Sequence, residues 1–275
     1  MASIHPTAVI DRGAELGADV HIGPYCVIGP QVVIADGCRL LAHVHLTGHT
    51  TIGAGTKIAP FASLGTPPQS VKYRGGPTRL VVGADCDIRE GVTMNTGTED
   101  GGGLTDVGAR CFFLAGSHVG HDCHVGNDVT LANGAVLGGH VITGDYVTLG
   151  GHTAVHQYVR IGESAMVSGV SGVAGDIIPF AFAIGQRAVL DGLNVVGLQR
   201  RGFGRADVHR LRRAYRALFM GDGVFRDRLA AVEREFGEDA LVGKVLAFIR
   251  AAASRPLMMP FNSTVPAGSG SQVAS

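Results

Sequence analysis

A period of six residues runs through the first two thirds of this chain and constrains everything else about it. From Ile4 the series reads Ile10, Leu16, Ile22, Ile28, Ile34, Leu40, Leu46, Ile52, Ile58 and Leu64. It resumes in phase at Val82, Ile88 and Met94 and then slips by one residue. From Val107 it continues through Phe113, Val119, Val125, Leu131, Leu137, Thr143, Leu149, Val155, Ile161 and Val167 to Val173. Thr143 is the one member that is not apolar. Four residues after each of these positions stands a small side chain, among them Ala8, Val20, Cys26, Thr50, Ala62, Ser117, Ala135 and Ala165. Such recurrence over such a length is the signature of a parallel β-helix.

The physics of the repeat is local. Three hexapeptides make one triangular coil, the aliphatic residue points inward and the small one fits the crowded corner. Coils then stack at about 4.8 Å with backbone hydrogen bonds along the axis. One coil cannot bury its own face, so stability grows with stacking. The 42 glycines and the absence of Trp suit such a turn-rich β architecture. Cys26, Cys38, Cys86, Cys111 and Cys123 all fall in the small inward register, which makes them core packing. An odd number of cysteines, with no export signal in MASIHPTAVIDRG, favours reduced thiols in the cytoplasm. No uncharged apolar run is long enough to span a membrane, so no integral membrane segment is expected. A formal charge of zero provides no global pull toward nucleic acid.

Two segments interrupt the coil, GTPPQSVKYRGGPTR at 65–79 and NTGTEDGGGLTD at 95–106, and loops ejected from a rigid scaffold are usual sites of function. The repeat is expected to occupy 1–185. Helical spacing follows, in Val208, Leu211, Tyr215, Leu218 and Phe219, then Phe225, Leu229, Val232 and Phe236, then Leu241, Val242, Val245, Leu246 and Ile249. An α-helical domain over 186–260 is expected to cover the open carboxyl end of the stack, with a disordered tail over 261–275. Between 200 and 228, nine arginines face only Asp207, Asp222 and Asp227, which suits either a solvated face or an acidic or phosphate-bearing partner.

The stretch SHVGHDCH, 117–124, concentrates groups that bind zinc or move protons. Cys123 belongs to the core register. His121 lies outside it, with Asp122 beside it at the turn. One coil is 18 residues, so His121, His140 and His156 are expected to form an approximate ladder along one prism edge, with His118 one strand end before them. A stacked set of imidazoles beside a carboxylate points to a site.

Along nearly the whole chain, HIGPYCVIGP, VKYRGGPTRL, GGGLT, HVGHDCHVGN, LGGHV, TAVHQY and GLNVVGLQRRGF occur in an order that resembles the UDP-N-acetylglucosamine O-acyltransferases of lipid A biosynthesis. The resemblance implies a left-handed parallel β-helix with a C-terminal α-helical domain. It also implies a homotrimer, with sites in the clefts between prisms. The implied substrates are an acyl carrier protein bearing a 3-hydroxyacyl thioester on its phosphopantetheine, and a UDP-aminosugar; no other cofactor and no metal is implied. His121 matches the family's general base, a task that suits an imidazole at neutral pH. Asp122 matches the group that orients it, and the Gly139 N–H the donor to the developing oxyanion. Lys72, His118, His140, His156 and Gln157 match substrate contacts, and Asn194, Arg200 and Arg201 match nucleotide and phosphopantetheine contacts. Gly169 falls where acyl length is measured, and a glycine there is expected to leave room for a longer chain.

Asn95–Thr96, Ser70 and Val196 depart from the family's pattern, which leaves a 3-hydroxyl or a 3-amino acceptor open. Three rivals share features with this reading. A β-helix carbonic anhydrase would use His118, His121 and His124 on zinc. A coenzyme A-dependent acetyltransferase would share the repeat and a catalytic His, and a non-catalytic solenoid would need neither the histidines nor the loops.

Overall fold

A computed structural model describes residues 2–261. The hexapeptides form three sheets of 11, 9 and 8 strands, parallel except for the last strand of the first, which are the three walls of a left-handed parallel β-helix. Most strands are two residues long, such as His118–Val119 and His124–Val125. The second residue of each points inward, and this series is buried from Ile22 to Val173. The small register is buried with it, and all five cysteines are free and buried. Burial pushes the Cys123 thiol up to about 12, so it is neither nucleophile nor ligand.

Register shows how the loops interrupt the coil. Ser3 pairs with His21 and Ile4 with Ile22, one coil of 18 residues apart. At the first loop Lys57 pairs with Asp87, an insertion of twelve residues, or two whole hexapeptides, and the phase survives. At the second, Asp87 pairs with Phe112, an insertion of seven, and the odd residue is the one-residue slip in the sequence. The strands nearest these loops are longer, at Ser63–Thr66, Arg79–Val82 and Leu104–Val107, so the excursions are narrower than expected.

The two ends of the prism differ. At the N-terminal end no described residue stacks on the first coil, so Ile4, although in the inward phase, is 46% exposed, and Ile10 and Leu16 are only partly buried. At the other end an antiparallel hairpin, Ala181–Ile184 with Val189–Leu193, closes the stack. Four helices follow: α1 (Val195–Arg200), α2 (Arg205–Phe219), α3 (Phe225–Phe236) and α4 (Ala240–Arg250). The apolar positions expected to be helical supply their packed face, with Val208, Leu211, Leu218, Phe219, Val232, Val242 and Leu246 buried. The short α1 carries no helical period in the sequence; Asn194 caps it by accepting from the Gly197 N–H at 3.0 Å. Of the tail expected over 261–275, only Phe261 lies within the described residues.

Candidate active site

The corners of the prism place the site. Asp122, His140 and Tyr158, each one coil after the last, all have φ near +60° (57°, 62° and 67°). A left-handed conformation at non-glycine residues is held here by the stacked coils. It turns the three side chains out of one edge.

His121 precedes Asp122 at this corner, and its Nδ1 lies 2.7 Å from Asp122 Oδ2. The carboxylate is 1% exposed and the imidazole 12%. Thr98 supplies two more donors to Asp122, its backbone N–H to Oδ1 at 2.8 Å and its hydroxyl to Oδ2 at 2.6 Å. The Asp122 N–H is taken by Thr105 Oγ1 at 2.8 Å. Because Oδ2 already accepts from Thr98, the ionised carboxylate acts only as an acceptor. His121 then donates from Nδ1, and its Nε2 carries the free lone pair. The imidazole lies across Gly139: a Cβ there would stand 2.5 Å from His121 Cε1 and 2.7 Å from Nε2. Among the described residues no acceptor takes the Gly139 N–H. An imidazole and a backbone donor without an acceptor among the described residues therefore lie together at one corner, which suits abstraction of a proton and support of an oxyanion.

The ladder differs from expectation at its last rung. His140 packs edge-on to His121, with ring centroids 5.1 Å apart, and stacks flat on Tyr158 at 4.3 Å. A coil of 18 residues carries His140 onto Tyr158. His156 falls two positions earlier, on the adjoining wall, where it is exposed and its Nδ1 meets Arg255 at 2.7 Å. Gln157 is exposed beside it, and its carbonyl also accepts from Arg255. His156 also borders an apolar cavity of about 1120 Å³ between the last coils and the segment Pro256–Phe261. His118 hydrogen-bonds Thr93 Oγ1 at 2.7 Å.

The other expected residues are not drawn to His121 within one chain. Lys72 is exposed in the first loop, its N–H 3.3 Å from Ser70 Oγ. Asn194 is buried, and its amide is occupied by the Ser164 carbonyl and the α1 cap. Arg201 bonds Glu163 at 3.0 Å and lies over the Tyr146 ring, whereas Arg200 is exposed. Gly169 is exposed, and a Cβ there would come 3.2 Å from the Gly151 carbonyl. Asn95 and Thr96 are buried and link the loops, Asn95 to Thr66 at 2.9 Å and Thr96 to Thr78 at 2.9 Å. The residues not anticipated are Thr98, Thr105, Thr93 and Tyr158; only Tyr158 could have been found, by adding one coil to His140.

His118, His121 and His124 do not converge. His118 and His124 stand on different walls, and His124 pairs with Asp106. The His/Cys/Asp/Glu group among the described residues whose ligand atoms do lie together, within 4.8 Å, is His121, Asp122 and His140.

Burial holds the His118 and His140 imidazoles below the ordinary range, against the Asp122 charge in the case of His140. A free imidazole titrates near about 6.5, so between the two values the unfolded chain binds more protons than the folded one. Stability is therefore expected to be complete above about pH 6.5 and to fall as pH drops below it. Melting temperatures from pH 5 to 8 test this, and His118→Gln is expected to flatten the acid side.

The coil and its histidine–carboxylate corner define a hexapeptide-repeat transferase: the family profile described as bacterial transferase hexapeptide (six repeats) matches residues 1–36 and 105–139. A second profile, UDP-N-acetylglucosamine O-acyltransferase, domain 2, matches residues 176–258, which covers the helices. The chain belongs to the acyl-[acyl-carrier-protein]–UDP-N-acetylglucosamine O-acyltransferase family. It is 53% identical over 265 residues to the protein of that name from Azorhizobium caulinodans, covering 96% of this chain and 98% of the relative. With that from Rhizobium johnstonii it shares 50% over 259 residues, 94% and 95% of the two chains. The solved UDP-N-acetylglucosamine acyltransferase from Campylobacter jejuni superposes with a TM-score of 0.88 at 37% identity, covering 94% of this chain and 99% of that one.

Proposed function

We propose that this chain transfers a 3-hydroxyacyl group from acyl carrier protein to the 3-position of UDP-N-acetylglucosamine, the first step of lipid A biosynthesis. The observation that carries the mechanism is the His121 Nδ1–Asp122 Oδ2 hydrogen bond of 2.7 Å, with the Gly139 N–H free beside the ring. His121 Nε2 takes the proton of the sugar 3-hydroxyl as its oxygen attacks the thioester carbonyl. Asp122 stabilises the imidazolium that forms, and the Gly139 N–H donates to the oxyanion. On collapse the C–S bond breaks, and the imidazolium returns its proton to the departing phosphopantetheine thiolate. No redox step or external reactant is needed.

The remaining sequence matches enter as parts of this reading. Lys72 of one protomer reaches the cleft of a neighbour in a homotrimer, while His118, His140, His156 and Gln157 line the substrate path. Asn194, Arg200 and Arg201 lie on the nucleotide and phosphopantetheine side, Asn194 by shaping α1. Arg200, Arg205, Arg212, Arg216 and Arg226 are exposed and have no side-chain partner among the described residues, which suits an acidic carrier protein. The burial of Asn95 and Thr96 and the O-acyltransferase names of the relatives favour a hydroxyl acceptor.

An acyl-transfer assay tests the proposal. Carrier proteins bearing 3-hydroxyacyl chains of several lengths are offered with UDP-N-acetylglucosamine or its 3-amino analogue, and products are read by mass. Ester formation on the hydroxyl sugar is expected, with the preferred length reporting on the groove at Gly169. Transfer only to the amine would overturn the acceptor assignment, and transfer to neither would overturn the activity.

A further inference from the structure

The second ejected loop does more than interrupt the coil. Between Asn95 and Leu104 it folds back over the corner of the coil that follows, and its backbone lies against the Asp122 carboxylate. A Cβ on Gly101 would stand 2.3 Å from Asp122 Cγ and 2.4 Å from each carboxylate oxygen. On Gly97 it would stand 2.8 Å from Oδ1 and 2.3 Å from the Leu104 N. Only glycine permits this approach. Neither residue has a positive φ, so both glycines answer to space and not to backbone conformation.

Between the two glycines sits Thr98, which spends both its N–H and its hydroxyl on Asp122. The loop holds Thr98 in turn: Gly103 N–H donates to its carbonyl at 2.8 Å, and Gly101 N–H to its hydroxyl at 3.1 Å. The carboxylate is thus sealed from water with three hydrogen-bond donors around it, two from Thr98 and one from His121, and with His140 Nε2 further off at 3.6 Å from Oδ2. A carboxylate sealed this way has one orientation, and its remaining acceptor direction points at His121 Nδ1.

We infer that Thr98 and Gly101 are positioning residues for the acyl transfer, a clamp and a lid that hold Asp122 so that His121 presents Nε2 as the base. This inference rests on His121 being that base. Neither residue touches the reacting atoms, so their loss is expected in kcat and not in substrate affinity.

The test uses the full-length protein and the acyl-transfer assay above. Thr98→Val, which keeps shape and removes the hydroxyl, is expected to lower kcat by about 10- to 100-fold, with KM for both substrates within about twofold. Thr98→Ser, which restores the hydroxyl, is expected to stay within about threefold of the parent, since only a methyl group is lost. Gly101→Ala is expected to match the Val variant in kcat, because it displaces the carboxylate without removing a donor. In proton spectra the downfield His121 Nδ1–H signal is expected in the parent and Ser proteins and shifted or lost in the other two. Val and Ala variants with parental kcat would overturn the inference. So would a kcat loss that Ser does not restore, or one accompanied by an unchanged downfield proton. Were His121→Ala and Asp122→Asn also to retain parental kcat, the general-base reading itself would fall. If those two collapse while Thr98→Val and Gly101→Ala do not, only the clamp is refuted.

Discussion

Replacing His121 by Ala is expected to lower kcat for acyl transfer by about three to four orders of magnitude, near the upper end of what a positioned base contributes. The imidazole lies outside the inward registers and packs across Gly139, so its removal leaves the core of the prism intact. Melting temperature and the KM values are therefore expected to change little, and single-turnover transfer isolates the chemical step. What survives would come from the Gly139 donor and from substrate binding. A variant that kept more than a tenth of parental turnover would remove His121 from the mechanism.

Asp122→Asn is expected to cost about 10³-fold, for a reason specific to this corner. Asparagine tolerates the left-handed φ of 57°, so the backbone survives the change. The amide, however, has one acceptor oxygen where the carboxylate has two. The Thr98 N–H can only donate and points at Oδ1, so it fixes the amide oxygen there and puts the NH₂ at the Oδ2 position, where the Thr98 hydroxyl can turn to accept from it. The amide NH₂ is left facing His121 Nδ1, which must then accept, and the proton moves to Nε2. The base is present but blocked by its own proton. A kcat within tenfold of the parent, or a loss shared equally by KM, would contradict this account.

Much of the fold was legible because its cause is local. Each hexapeptide chooses its inward aliphatic residue and its small corner residue independently of distant sequence, so the period appears on the page from Ile22 to Val173 as it does in the buried core. Even the phase slip after Met94 was visible, although only the register showed it to be an insertion of seven residues. The helices were legible from the apolar faces of α2, α3 and α4, whereas the short α1 is capped by Asn194, whose amide also ties it to the Ser164 carbonyl of the last coils. Ile4 carries the inward phase but remains exposed, because a periodic pattern does not say where stacking stops.

At the site, the neighbouring His121 and Asp122 could be read as a pair because one follows the other in sequence. The third rung was misplaced by two residues, since His156 attracts attention by its type and Tyr158 holds the place by its register.

By itself, then, the sequence determined the prism, its walls and the adjacent imidazole and carboxylate, since periodic burial and neighbouring residues are local properties. Only the tertiary structure decided which donors hold the carboxylate. Thr98 stands 24 residues before Asp122, in a loop with no period, and reaches it only because the coil turns back beneath the loop. No side-chain pattern encodes that meeting. It follows from the geometry of stacking and from two glycines that let the backbone come close enough.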